Sequence, residues 1–370
     1  MSDRHDHTAG ALLGLAIGDA AGWPAVRHRA QLLPPWTRRL HRELDAFAEM
    51  EQVTTLPVPF ALNQPTAPLR LGPSDDAEWA AWTLTWLLDT AARPGALGRD
   101  DVHAHWRSAA AAGTLPRGRI SVAAASDALR RDLDPPVTGH DNPHHFDDAA
   151  AVRSVAAGLV ADGPDTAATL AGWDAEVTNA GDGLAAARAV AETVARLVRG
   201  EPLADAWAVA AAGLPADGLL AASVDRALAA TSGAGSAGEA VPLLDEPAGH
   251  VYSYGVAAAQ TLPVAVALAH AAERGGERPI AAVTAAACLP ALADSAPALT
   301  GALTGAAHGL SALPTTWAER CRRLAGCCAA ELAGLDLVEL AGSIEERAIA
   351  EADREVPGGD ESRWKEGNQC

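Results

Sequence analysis

The sequence has few aromatic side chains and no long uninterrupted run of apolar ones. Phenylalanine, tyrosine and tryptophan make up 4% of the 370 residues, although hydrophobic residues as a whole make up 49%. Alanine and leucine must therefore fill most of the core. The strongest apolar segment, Gly255 to His270, is interrupted by Gln260 and Pro263. Because a membrane span needs roughly 18 or more consecutive apolar residues, the sequence predicts no transmembrane helix.

Cysteine is also scarce, and its spacing indicates neither a disulfide framework nor a zinc site. The chain has five cysteines, of which Cys327 and Cys328 are adjacent, and no Cys-x-x-Cys pair occurs. Residues 1–7 lack the apolar segment of a secretory signal peptide. Together these features predict a reduced protein of the cytoplasm.

Basic residues are outnumbered by acidic ones. There are 28 lysines and arginines against 47 aspartates and glutamates, which gives a formal net charge of −19. A protein that binds nucleic acid without regard to sequence needs many basic side chains to neutralise phosphates, and an anionic membrane surface attracts basic segments. The composition therefore excludes both partners. It leaves open whether the acidic residues only keep the surface soluble or also gather around a cation.

Apolar residues recur with helical spacing along most of the chain, whereas the alternation typical of strands is nearly absent. The clearest helix spans Leu184 to Arg199, and Gly200 and Pro202 follow it as stop signals. Small side chains let helix axes approach closely, so the sequence predicts an all-α fold, a compact single-domain bundle of many helices. The other predicted helices lie near Gly10–Ala21, Ala77–Asp89, Asp101–Ala112, Ala149–Ala161, Leu203–Ala212, Ser223–Ala230, Tyr254–Ala272, Ile280–Ala287, Ala296–His308 and Trp317–Leu332.

Three internal segments rich in proline, glycine or polar residues are predicted to be irregular: residues 25–71, 131–148 and 231–247. The polar residues at the end of the chain are expected to fray. We therefore predict one domain over residues 1–350, followed by a polar tail over residues 351–370.

The segment Ser74-Asp75-Asp76 places a hydroxyl and two carboxylates immediately before a predicted helix. It is open to two interpretations. Serine is a good N-cap, and carboxylates favour the first turn of a helix, so the segment is typical of an ordinary helix start. Hard oxygen atoms clustered in this way are also the ligands that Mg²⁺ prefers.

Basic side chains are concentrated in one part of the acidic chain, at Arg27 and Arg29 and again over residues 38–42. A solvated loop with internal ion pairs would explain them. Alternatively, the guanidinium groups form a lid that contacts the phosphates of an anionic substrate.

Two motif-like segments are interpreted as loops. The glycines of residues 233–238 match a dinucleotide-binding fingerprint in spacing, but no strand precedes them. His140, His144 and His145 lack the spacing of known zinc sites. Neither segment is expected to bind a cofactor.

Four blocks of sequence, in order along residues 10–310, resemble the ADP-ribosylglycohydrolase family. The first is the opening helix GALLGLAIGDAAGWP over residues 10–24, in which a glycine recurs every four residues and leaves a stripe for close helix packing. The second is the hydroxyl-Asp-Asp motif at Ser74. The third and fourth are DAEVTNAGDG over residues 174–183 and ADSAPALTGALTG over residues 293–305.

The resemblance implies a Mg²⁺-assisted hydrolase that cleaves the C1″–N or C1″–O bond of a small-molecule or protein-linked ADP-ribosyl or related ribosyl compound. It implies that Asp76 and Asp294 are the candidates for activating water, and that Arg27, Arg29 and Asn179 contact the substrate. The metal ligands implied by position are Ser74, Asp75, Asp76, Asp294 and Ser295.

The chain departs from the family pattern at three places. Leu292 stands where the first aspartate of the late motif is expected, Asn179 stands where a histidine is expected, and no acid occurs near Val26 or Arg27, where the family has a glutamate. Because leucine cannot bind Mg²⁺, we expect one ion rather than two. The alternatives are a pseudoenzyme that binds a nucleotide, a ribosyl ligand or a protein partner, and a family member repurposed for secondary metabolism.

Overall fold

A computed structural model describes residues 3–22, 50, 72–90, 97–244, 255–289 and 291–355. These residues form helices joined by turns and contain no β-strand beyond two isolated bridges, so the predicted all-α fold is confirmed. No helix within these ranges is both long enough and apolar enough to cross a membrane. The α-helices are α1 Asp3–Gly22, α2 Asp75–Asp89, α3 Arg99–Ala112, α4 Ile120–Leu129, α5 Val137–His140, α6 Ala149–Arg153, α7 Val155–Val160, α8 Pro164–Ala175, α9 Asp182–Leu197, α10 Leu203–Ala211, α11 Leu219–Thr231, α12 Ala237–Ala240, α13 Ala258–Arg274, α14 Pro279–Ala287, α15 Ala296–His308, α16 Thr315–Cys321 and α17 Leu337–Glu355.

The glycine stripe of α1 lies against α15 in backbone-to-backbone contact. A Cβ atom added at Gly14 would lie 2.0 Å from the carbonyl oxygen of Gly301, and one added at Gly18 would lie 1.9 Å from that of Pro297. Gly10 and Gly305 meet in the same way one turn further along. The close packing predicted for this stripe is therefore present, and its partner is the helix that carries the late acidic motif at its start.

The core is built mainly from alanine, leucine and valine, as the composition predicts. The aromatic contribution is local: Trp79 and Trp82 of α2 pack against Trp106 of α3, with the rings of Trp79 and Trp106 stacked at a centroid distance of 6.1 Å. This cluster holds α2 against α3 behind the first turn of α2.

Several predicted helices have different bounds from those expected; α1, for example, begins at Asp3. The helix predicted over Trp317–Leu332 ends at Cys321, because the following residues bridge to residue 336, and the N–H of Leu324 donates to the carbonyl of Leu335 over 3.1 Å. A short 3₁₀ segment forms at Ala330–Leu332. The helix predicted over Ala149–Ala161 is interrupted at Ser154, whose hydroxyl donates a hydrogen bond to the carbonyl of Ala151 over 2.7 Å.

Five helices, α4, α5, α8, α12 and α17, are not predicted by the periodicity analysis, and the short helices α5 and α12 lie inside the segments 131–148 and 231–247 that were expected to be irregular. The helix α17 continues through residue 350, the predicted domain boundary, to Glu355. Apart from residue 50, the segment predicted to be irregular over residues 25–71 lies outside the described residues, as does most of the predicted tail.

Candidate active site

The first turn of α2 carries Asp75 and Asp76, and it is capped by a side chain from α1. Asp19 accepts hydrogen bonds from the backbone N–H groups of Ser74 and Ala77 over 2.7 and 3.0 Å. The Ser74 hydroxyl also donates to Asp19, over 2.7 Å, and makes no capping bond of its own. The expected helix start is therefore present, but the cap comes from Asp19 and not from Ser74.

The start of α15 brings Asp294 and Ser295 to the same place. Both residues are buried, and the Ser295 hydroxyl lies 3.3 Å from Oδ1 of Asp76, to which it donates a hydrogen bond. Leu292, which stands at the position of a family carboxylate, is buried in an apolar cluster with residues of α13 and α14. The structure thus brings together the early and late acidic motifs, as the resemblance implies.

A fourth carboxylate, that of Asp148, joins the cluster from the residue before α6. Asp148 is fully buried, and its backbone N–H donates to the carbonyl of Val256 over 2.8 Å. This bond forms part of the bridge between residues 147 and 257. Asp148 therefore has a fixed backbone position between α6 and the segment that leads into α13.

The centre of the carboxylate cluster is occupied by the guanidinium group of Arg119. Its Nη1 lies 2.9 Å from Oδ2 of Asp294 and 3.3 Å from Oδ1 of Asp148. Its Nη2 lies 2.5 Å from Oδ1 of Asp76 and also donates to the Ser295 hydroxyl. Its Nε lies 3.5 Å from Oδ2 of Asp75. One buried side chain thus contacts all four carboxylates.

The electrostatics of the cluster follow from burial and from these contacts. Burial alone would lower the pKa of Arg119, but the neighbouring carboxylates, Asp294 foremost, raise it well above its ordinary value. Burial raises the pKa of Asp148 to about 8, while the Arg119 charge acts in the opposite direction. Arg119 is therefore a permanent cation, and the protonated form of Asp148 is favoured at neutral pH.

The backbone that carries Arg119 is anchored by α2, the helix that also carries its partners Asp75 and Asp76. The Glu78 carboxylate of α2 accepts hydrogen bonds from the three backbone N–H groups of residues 327–329, over 2.6 to 3.0 Å. The carbonyl of Cys328 in turn accepts a bond from the N–H of Arg117 over 3.0 Å. Gly118 has a φ of +128°, and a Cβ atom there would lie 3.2 Å from Oδ2 of Asp75. This combination of an anchored turn and a glycine lets the chain pass directly over the start of α2.

Asn179, predicted to contact the substrate, is buried and bonded within the protein. Its Nδ2 donates to Oδ1 of Asp147 over 2.9 Å and to the carbonyls of Asp147 and His145. Its Oδ1 accepts from the hydroxyl of Thr178, which itself accepts from Arg153 over 2.6 Å. Asn179 therefore fixes the segment that precedes Asp148, and its predicted contact with substrate stays a prediction.

The implied Mg²⁺ ion does not fit the cluster as it is arranged. Magnesium requires near-octahedral oxygen coordination at about 2.1 Å, whereas one oxygen atom of each of Asp75, Asp76 and Asp294, and the Ser295 hydroxyl, is directed at the guanidinium nitrogens of Arg119. The Ser74 hydroxyl is bonded to Asp19. An ion could use these oxygen atoms only if Arg119 moved away.

A second group of side chains has the spacing of a metal site. A carboxylate oxygen of Glu78 and the sulfur atoms of Cys327 and Cys328 lie within 4.8 Å of one another. The Glu78 oxygens already accept the three backbone N–H groups described above. Burial and the adjacent Cys327 raise the pKa of the Cys328 thiol far above its usual range. Both features disfavour a metal thiolate at this position.

The other candidate residues are in separate segments of the chain. Arg27 and Arg29 lie outside the described residues, so their contact with substrate stays a prediction. His140 is exposed, pairs with its neighbour Asp141 and ends the short helix α5, so this segment is not wholly the predicted loop. The glycine-rich residues 233–238 span the turn before α12 and the first two residues of α12, which Ser236 caps.

Two central residues, Arg119 and Asp148, were not singled out by the sequence motifs. Asp148 follows the histidine-containing segment, and two adjacent aspartates before an alanine-rich helix give the same signal as Asp75 and Asp76. Arg119 has a weaker signal, an Arg-Gly-Arg segment between two helices. Its partners lie from 29 to 175 residues away in sequence, so no local pattern reveals them.

Comparisons with known proteins bear on the fold and on the family of this chain. One solved structure, described as an ADP-ribosylglycohydrolase-related protein complex, is similar to this chain with a TM-score of 0.58 and 21% identity, over 94% of this chain and 99% of the other. At this identity the likeness shows the fold alone. A comparison with curated proteins found no match. The family model described as ADP-ribosylglycohydrolase matches residues 1–350, and the chain therefore belongs to the ADP-ribosylglycohydrolase family.

Proposed function

We propose that this chain is a hydrolase that cleaves the glycosidic bond of an ADP-ribosyl or related ribosyl compound at the carboxylate cluster. The observation that carries the proposal is the convergence of Asp75, Asp76, Asp148 and Asp294, from three separate segments, in one buried cluster. Burying carboxylates costs stability unless they are paired. A single arginine does not need four acidic partners for structural reasons, which favours a chemical role for the excess.

Glycosidic hydrolysis proceeds through an oxocarbenium-like state and uses one group to protonate the leaving atom and another to activate water. Carboxylates near the anomeric carbon stabilise the positive charge that develops on the sugar. Asp76 and Asp294 are our candidates for accepting the proton from water, because both lie at the start of a helix and next to Arg119.

Membership of the family supports an ADP-ribosyl substrate. A diphosphate would carry negative charge into the site, and the guanidinium groups of Arg27 and Arg29 suit its geometry. Their role in binding the diphosphate, and that of Asn179 in binding the ribose, are part of the proposal. So is a location in the cytoplasm.

A direct test measures the release of ADP-ribose from arginine-linked and serine-linked ADP-ribosylated peptides by the purified full chain, with Mg²⁺ and with EDTA. We expect Asp76→Asn and Asp294→Asn to abolish release. Asp127→Asn, which changes an exposed carboxylate on α4, serves as the matched control and should leave release intact. Unchanged release in both site variants would contradict the assignment.

A second candidate function is supported by the position of Arg119. Because its guanidinium already pairs with the four carboxylates, the cluster also suits a pseudoenzyme that binds a ribosyl ligand without cleaving it. In that case ADP-ribose would raise the melting temperature of the wild-type protein, and no substrate would release ADP-ribose.

A further inference from the structure

We propose that Arg119 is the built-in cation of this site and that it excludes a divalent metal ion from the carboxylate cluster. The inference rests on the proposed function only in taking this cluster as the functional site. It concerns what neutralises the carboxylates and not which bond is cleaved.

The contacts of Arg119 account for its charge. Its side chain is 4% exposed, and each nitrogen of the guanidinium group has at least one carboxylate neighbour at 2.5 to 3.5 Å. A guanidinium group is planar and stays charged in proteins, and it distributes five N–H donors over several acceptors. Arg119 therefore supplies a buried positive charge to the cluster without a bound ion.

The position of Arg119 is built into the fold. Gly118 has a backbone conformation that other residues rarely adopt, and it lies against Asp75. The preceding Arg117 is bonded to residue 328, within the turn that Glu78 anchors. Arg119 therefore enters the cluster from a fixed backbone and not from a freely moving surface loop.

The charge of Arg119 and the replacement of a family carboxylate by Leu292 both disfavour a metal ion in the cluster. A metal ion brought to the oxygens of Asp76 and Asp294 would lie within a few ångströms of the guanidinium group, and like charges at that distance repel strongly in a buried site. Leu292, which replaces a carboxylate, cannot compensate with another ligand, because its side chain packs in the apolar cluster of α13 and α14.

The test measures metal binding directly, by electron paramagnetic resonance of Mn²⁺ and by calorimetric titration with Mg²⁺, on the full chain. The wild-type protein is expected to leave the signal of free Mn²⁺ unchanged. The variant Arg119→Ala is expected to bind Mn²⁺ at least roughly 100-fold more tightly than the wild type, since a buried like charge has been removed. Arg119→Lys, which keeps the charge, should bind as weakly as the wild type.

Arg130→Ala, at an exposed arginine that follows α4, controls for the loss of a positive charge at the surface and should gain no affinity. The inference would be overturned if the wild-type protein bound Mn²⁺ and the substitution Asp76→Asn abolished that binding. This result does not depend on whether Arg119→Ala folds. A folded Arg119→Ala variant without affinity for Mn²⁺ would overturn it as well. Failure of the hydrolase proposal would give a different result: the wild-type protein would release no ADP-ribose but would still bind no Mn²⁺.

Discussion

The backbone contact between α1 and α15 predicts a severe effect of the smallest side-chain addition, Gly14→Ala. The new Cβ atom would lie 2.0 Å from the Gly301 carbonyl oxygen and 2.8 Å from its carbon. Ordinary contacts of this kind start at 3.4 Å, so the distance to the Gly301 oxygen would have to grow by about 1.4 Å. Neither atom belongs to a flexible side chain that could turn away.

The magnitude follows from the balance of two effects. Extra volume forced into a packed core costs about 1 to 3 kcal/mol, and occasionally more where the backbone itself must shift. Replacing glycine by alanine inside a helix returns about 1 kcal/mol through helix propensity. Because the backbone itself must shift here, we take the upper end of this cost and expect Gly14→Ala to lower the free energy of unfolding by about 2 kcal/mol.

The assay is urea denaturation followed by far-ultraviolet circular dichroism, with Gly172→Ala as the matched control. Gly172 lies inside α8, and a Cβ atom there meets Arg188 at 3.4 Å, an ordinary contact distance. This control should gain about 0.5 to 1 kcal/mol. If Gly14→Ala is as stable as Gly172→Ala, the helices are not in backbone contact and the reasoning is wrong.

Three other predictions concern the supports of the site and a buried histidine. Asp19→Ala should lower the free energy of unfolding by about 3 kcal/mol in the same assay, because two buried N–H groups and the Ser74 hydroxyl lose their acceptor; an unchanged value would show that the start of α2 needs no cap. Glu78→Gln places an amide donor against the N–H groups of residues 327–329, and it should speed hydrogen exchange there, measured by mass spectrometry, whereas equal exchange would contradict the anchoring role. Burial lowers the pKa of His105 to about 4 from 6.5, so this residue favours the folded state above pH 6.5 and loses that contribution as the pH falls towards 4. The wild-type protein should lose unfolding free energy as the pH falls from 6.5 towards 4, and His105→Phe should reduce this loss by up to about 3 kcal/mol. Identical profiles of unfolding free energy against pH for the two proteins would refute the lowered pKa of His105.

The sequence predicts the fold class and the acidic half of the site because both depend on local patterns. Helical periodicity is repeated along the chain, and the glycine stripe beginning at Gly10 has the spacing of one helix face. Asp75, Asp76 and Asp294 each stand directly before or at a helix start, where carboxylates are easy to recognise.

The interior bounds of some helices could not be predicted, because they depend on backbone angles and tertiary contacts. One predicted helix ends at Cys321 because the following residues pair with the segment before α17, a contact that no local pattern reveals. Ser154 interrupts another through a bond to its own helix. The cap on α2 was assigned to Ser74 by sequence rules, whereas Asp19 supplies it across 55 residues.

Arg119 is the clearest example of a site residue that the sequence does not predict. Its presence makes the departures from the family pattern consistent with one another. The resemblance implies two Mg²⁺ ions, which would bring four positive charges to the site. Leu292 removes one carboxylate, the segment at Val26 and Arg27 lacks another, and Arg119 adds a positive charge. The two missing carboxylates and the guanidinium charge all make the site less negative. Restoring a carboxylate at position 292 alone should therefore fail to create a metal site, because Arg119 still pairs with the other carboxylates and position 292 packs in the apolar cluster of α13 and α14. Tight binding of Mn²⁺ by Leu292→Asp alone, in the same titration, would contradict this explanation.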